Sequence, residues 1–149
     1  MSTIAKATLD FIPSSRRIDR RRCLQRDHAE TLLRRAEYLP EHDRLILVAA
    51  LHDGRSSAEI ACLAQSHPSS IRRRLRTLLK RLGSPRFIFV MRQHEHWPPV
   101  RRRIAVACEL HGLSSRQAAG ALGISLHIVR RHRLVIDALF EHSRKEAAA

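Results

Sequence analysis

Arginine and serine recur in two short clusters of similar spacing. Ser69, Arg72, Arg73 and Arg76 form the first; Ser125, His127, Arg130, Arg131 and Arg133 form the second. A guanidinium makes paired hydrogen bonds to phosphate oxygens and to the O6/N7 edge of guanine, a geometry an ammonium cannot match. The chemistry such clusters suggest is recognition of a polyanion, not bond making. The whole chain agrees. In 149 residues, 28 Lys+Arg stand against 14 Asp+Glu, a formal net charge of +14. Only Lys6, Lys80 and Lys145 are lysine. A GC-rich genome explains the choice of arginine over lysine equally well, but not the net charge. Nucleic acid is the first partner such a balance suggests and an anionic membrane surface the second.

Other chemistries find little support. Cys23, Cys62 and Cys108 are odd in number and far apart, with no CxxC, which argues against a zinc ribbon or disulfide framework and fits a reducing cytosol. His94-Glu95-His96 invites a metal reading, but adjacent helical positions diverge, no third ligand is evident, and Trp97-Pro98-Pro99 follows. The segment reads as a helix end. There is no phosphate-binding glycine loop, no HExxH, no nucleophile elbow and no acidic cluster for two metals, so neither an enzyme, a cofactor nor a metal is expected. No apolar run approaches the roughly 20 residues of a membrane span. MSTIAKATLDFIP lacks a signal-peptide hydrophobic region, and a cytoplasmic location is expected.

The elements that must position the arginines are repeated. Shifted by 58 residues, residues 40–82 align with the second half of the chain without a gap. Pro40, Arg44, Ile46, Val48 and Ala49 fall on Pro98, Arg102, Ile104, Val106 and Ala107. Gly54, Ser56, Ser57 and Ala61 fall on Gly112, Ser114, Ser115 and Ala119, and Arg72-Arg73 on Arg130-Arg131. Ser56-Ser57-Ala58-Glu59 and Ser114-Ser115-Arg116-Gln117 are capping boxes. Ile60, Ala61 and Leu63-Ala64 then give an apolar face, as do Ala118, Ala119 and Ala121-Leu122. Gly123 ends the second of these helices. Ser125 caps the next helix, and in the first copy His67 takes the cap with Pro68 at the first helical position. The following helices bury Ile71, Leu75 and Leu78 in one copy, and Val129, Leu134 or His132, and Ile136 in the other. Their outer faces carry Arg72, Arg73, Arg76 and Lys80, and Arg130, Arg131 and Arg133. Two short helices joined by a tight turn, the second amphipathic and cationic, describe a helix-turn-helix.

Earlier helices complete each copy. Glu41 to His52 and Pro99 to His111 are helical in pattern. Asp27-His28-Ala29-Glu30 predicts a cap, and Ser84-Pro85 another. Phe87 to Val90 alternates weakly, but the preceding Ser-Pro favours helix. Trp97 aligns with Leu39 and is expected between the copies. The fold expected is all-α: two tandem helix-turn-helix units of three to four short helices each. The boundaries are a basic N-terminal arm over 1–26, a first unit over 27–83, a second over 84–142 and a tail over 143–149. SSRRIDRRRC in the arm reads equally as a phosphate-wrapping segment, a solvated helix face or a floppy tail. Arg101-Arg102-Arg103 reads mainly as structural.

The stretch LPEHDRLILVAALHDGRSSAEIACLAQSHPSSIRRRLRTLLKRL resembles region 4 of bacterial sigma factors, the part that reads the promoter −35 element. GLSSRQAAGALGISLHIVRRHRL resembles the same superfamily and LuxR/GerE-type DNA-binding domains. The resemblance implies a winged-helix-like superfamily without a wing. It places Ser69, Arg72, Arg73 and Arg76, and Ser125, His127, Arg130, Arg131 and Arg133, toward the major groove of double-stranded DNA. Arg55, Ser56, Ser114 and Arg116 would hold phosphates. Gln65 stands where a turn glycine is usual and Ser66 where a buried Ile or Val is usual, implying a looser turn in the first copy. Nothing resembles sigma region 2, so a complete sigma factor does not fit. Three functions stay open: a bacterial DNA-binding transcriptional regulator acting on the nucleoid, a sigma-related accessory protein bound to RNA polymerase, and the DNA-binding part of a transposase or recombinase system. A homodimer is left open, and the sequence does not point to a membrane partner.

Overall fold

Two of the short helices, over 57–63 and 115–122, start at capping serines and end before residues in the left-handed region. Ser56 Oγ accepts from the Glu59 backbone N–H while the Glu59 carboxylate accepts from the Ser56 N–H at 2.6 Å. Ser114 and Gln117 repeat the exchange, at 2.9 Å for the return bond. Ser84 and Ser125 cap later helices by accepting from Phe87 and Ile128, and His67 Nδ1 accepts from the Ser69 N–H.

The structure, a computed structural model, describes residues 15–149, with side-chain surroundings from Gln25 onward. Residues 1–14 of the basic N-terminal arm fall outside these bounds, whereas 15–26 are helical. Among the described residues every regular element is helical. The order is α1 (Ser15–Ala36), α2 (Glu41–Leu51), α3 (Ser57–Leu63), α4 (Pro68–Leu82), α5 (Pro85–Gln93), α6 (Pro99–Ala105), α7 (Ser115–Leu122) and α8 (Leu126–Ala148). A 3-10 turn, His94–His96, follows α5, and a π-helical turn, Val106–Leu110, continues α6.

The 58-residue offset persists in the backbone. The Arg55 N–H donates to the Ala49 carbonyl at 2.9 Å, and the Leu113 N–H to the Ala107 carbonyl at 3.0 Å. Ser66 donates to Ala61 at 2.9 Å and Ile124 to Ala119 at 3.1 Å. Gly54 and Gly112 share positive φ values of 66° and 74°. These pairs fix the same turns in both copies.

Burial follows the repeat as well. Ile46, Ile60, Ala61 and Ile71 form one small core, and Ile104, Ala107, Cys108, Ala118 and Val129 form its counterpart. Neither is large enough to stand by itself. A third cluster joins them: Leu32, Ala36, Leu39, Leu47, Leu78 and Leu82 from the first half meet Phe87, Val90, Ala105, Leu110 and Ile136 from the second. Trp97 packs against this shared core, with its ring centroid 5.9 Å from that of Phe89. Tyr38 meets the buried His94 edge-on across the same joint.

Several expectations need correction. α1 runs through Asp27 without a break, because no glycine or proline interrupts 15–36; the Thr31 hydroxyl donates to the Asp27 carbonyl as in a helix interior. α8 runs to Ala148 through a stretch rich in Glu, Lys and Ala, which favour helix. Leu63 is 65% exposed and Ala64 is exposed, since Ile60 and Ala61 already fill the inner face of a helix of about two turns. Leu134 is 69% exposed; Ile136 takes the inward position, and His132 is half-buried. The turn before α4 is not looser: Gln65 adopts φ 49°, the left-handed conformation that Gly123 takes at φ 66°.

Candidate nucleic-acid interface

α4 is turned by what it buries. Ile71 and Leu78 face the core, which leaves Ser69, Arg72, Arg73 and Arg76 exposed on the opposite side. The Ser69 hydroxyl lies 2.8 Å from His67 Nδ1, so the first turn is held from within. α8 repeats the arrangement: Val129 and Ile136 are inward, and Ser125, His127, Arg130 and Arg131 are exposed. Among the described residues, Arg72, Arg73, Arg76, Arg130 and Arg131 make no ion pair. Long cationic side chains without internal partners keep their donors for an external acceptor.

Two members differ from the expected pattern. Arg133 is half-buried; its Nη1 donates to Ser115 Oγ at 2.9 Å and its Nε lies 3.6 Å from Glu109. It ties α8 to α7 and to the π turn. Leu134 occupies the position matched to Arg76, so the second cationic face is shorter. Arg55, Ser56, Ser114 and Arg116 are exposed at the starts of α3 and α7. Arg55 is 3.9 Å from Asp53. Ser56 and Ser114 use their oxygens as caps, which leaves each hydroxyl hydrogen to donate.

The ion pairs that orient these helices were not visible as sites in the sequence. Asp43 on α2 is 1% exposed and receives a two-pronged contact from Arg74, at 2.8 and 3.0 Å, with Arg81 at 3.8 Å. Glu109 receives the same kind of contact from Arg86, at 2.7 and 3.0 Å, and Arg86 also pairs with Asp137. Hydrogen bonds to Glu109 raise the pKa of Arg86, whereas burial lowers that of Arg81. Asp43 precedes Ile46 and Leu47 by three and four residues, a spacing that puts it on the buried face. That spacing is the signal a reader of the sequence could have used. Its partner could not be read, because Arg74 lies 31 positions away.

Burial raises the pKa of Cys108, which suits a packing role. His94 Nδ1 lies 3.0 Å from the carbonyl oxygens of both Val90 and Met91, so the ring is held by the end of α5. Among the described residues, no group of three or more His, Cys, Asp or Glu side chains could hold a metal ion, and no helix is long and apolar enough to cross a membrane.

No protein family, curated protein or solved structure matches this chain.

Proposed function

We propose that this protein is a sequence-specific DNA-binding transcriptional regulator. In this reading α3–α4 and α7–α8 are helix-turn-helix units, with α4 and α8 as the helices that enter the major groove. The observation that carries it is the repeat-related pair Arg72-Arg73 and Arg130-Arg131. Both pairs are exposed, free of ion pairs among the described residues, and set in the second turn of capped helices. Each good guanidinium–guanine contact discriminates between bases by about 1–3 kcal/mol. Two linked readers also gain through effective concentration when both reach one duplex.

The test is selection from random duplex DNA with the purified protein, followed by sequencing of the bound pool. An enriched motif is expected, and its length reports whether one helix or both engage. Salt-sensitive binding with no motif would overturn sequence-specific reading.

A second reading is a sigma-like accessory protein on RNA polymerase. Leu45 and Leu63, 58% and 65% exposed, favour it. They flank a hollow floored by Ile46, Ala49 and Ile60 on the α2–α3 side. Retention of purified polymerase by the wild type but not by a Leu45→Asp, Leu63→Asp variant would support this reading.

A further inference from the structure

The two copies differ at one half-buried place, where α2 meets α4 and where α6 meets α8. In the first copy Asp43 and Arg74 sit there, joined by the two-pronged ion pair. The 58-residue offset puts Arg101 at the position of Asp43 and His132 at that of Arg74. An acid facing a base has become a base facing a base.

The second pair has no acid of its own. Arg101 Nε and His132 Nδ1 are shielded from solvent and have no hydrogen-bond partner among the described residues. Neither residue makes a salt bridge there. Two carboxylates of this copy are engaged elsewhere, Glu109 by Arg86 and Arg133 and Asp137 by Arg86. Burial opposes protonation of His132, and the charges of Arg101 from α6 and of Arg131 on its own helix oppose it further. At the positions of His42 and Ser70 this copy carries Val100 and Ile128, 43% and 39% exposed.

We propose that Arg101 and His132 form a phosphate-binding site on the edge of the second copy, a site that the first copy closes with its own Asp43. The phosphate is one of the nucleic-acid backbone. Arg131 is exposed and its charge reaches His132, so a phosphodiester held by Arg101 and His132 continues onto the outward arginine face of α8. The source of the phosphate rests on the DNA-binding reading; the anion site does not.

The test uses the full chain and follows the His132 imidazole by NMR. Inorganic phosphate should shift the His132 signals saturably, and Arg101→Gln should weaken that binding at least ~5-fold. Arg101→Asp restores the acid that the first copy carries. It should keep the fold and abolish the phosphate response, which guards against a variant that merely unfolds. With duplex DNA, Arg101→Gln should reduce the salt slope by about 1 and leave the selected motif unchanged. A His132 that responds to neither phosphate nor duplex would overturn the proposal. So would a response to a glutamate-rich peptide alone, which would assign the site to a protein carboxylate. If Arg101→Gln leaves the duplex salt slope unchanged while Arg130→Ala, Arg131→Ala abolishes duplex binding, the DNA reading stands and this site falls. A phosphate response lost in Arg101→Gln, in a protein that binds no duplex, would keep the site and remove the DNA reading.

Discussion

Arg81 on α4 lies against Gly112 in the turn before α7, with its Nη1 donating to the carbonyl of His111 at 3.3 Å. The glycine leaves no room for a Cβ beneath that guanidinium. The same arginine is 3.8 Å from Asp43. One side chain thus links α2 of the first copy to the turn of the second.

Gly112→Ala should therefore cost more stability than Gly54→Ala. Both positions have positive φ, which strains an alanine by about 1 kcal/mol. Gly54 has open space where its Cβ would go, so only that strain applies. At Gly112 the methyl also displaces Arg81. Urea unfolding of both variants checks the order. Adding Arg81→Ala to Gly112→Ala should remove the excess, as coupling between touching residues requires.

Asp43→Ala should destabilise the fold by about 3 kcal/mol, because it leaves Arg81 half-buried without a counter-charge. Arg74→Ala should cost less. Arg74 is 54% exposed, and Asp43 keeps Arg81. Equal losses in urea midpoints would show that Arg81 contributes nothing to holding Asp43.

Gln65→Gly should stabilise the protein by about 1 kcal/mol. It relieves a left-handed conformation that glycine adopts without a Cβ clash. A rise in melting temperature checks it. The matched reverse change, Gly123→Ala, should lower the melting temperature.

Stability should fall on mild acidification. Burial lowers the pKa of His111 below its ordinary 6.5, and the Arg81 charge lowers it further, against a smaller opposing effect of Asp43. The unfolded chain then binds more protons than the folded one between the ordinary and the depressed values. The contribution of neutral His111 is complete above 6.5 and is lost as pH falls toward its folded pKa. His132 shifts in the same direction. Urea midpoints measured from about pH 7.5 down to about pH 5 should decline, and His111→Gln should flatten part of that decline.

Arg130→Ala with Arg131→Ala should weaken binding to a selected DNA site more than binding to unrelated duplex. Base contacts carry sequence information and phosphate contacts do not. Equal losses in a titration of both duplexes would reduce these arginines to phosphate holders.

Much of this molecule was legible because its signals are local. Ser56 with Glu59, Ser114 with Gln117 and Ser125 with Ile128 act over three residues, and glycine at 54, 112 and 123 acts on its own backbone. The spacing of Ile46, Ile60 and Ile71, repeated at Ile104, Ala118 and Val129, predicted which faces turn inward. Helical periodicity alone could not say where α8 ends, because no glycine or proline marks the place.

The sequence by itself determined the helices, their caps, the repeat and the outward arginines of α4 and α8. Only the tertiary structure decided which charges are spent internally. It gave Asp43 to Arg74 and Arg81, Glu109 to Arg86, and Arg133 to Ser115, and it left Arg101 Nε and His132 Nδ1 shielded without a hydrogen-bond partner among the described residues. The physical reason is distance along the chain. A cap or a glycine completes its interaction within one turn. An ion pair 23 or 31 residues apart exists only once the helices have packed, and packing is set by the core that both copies share.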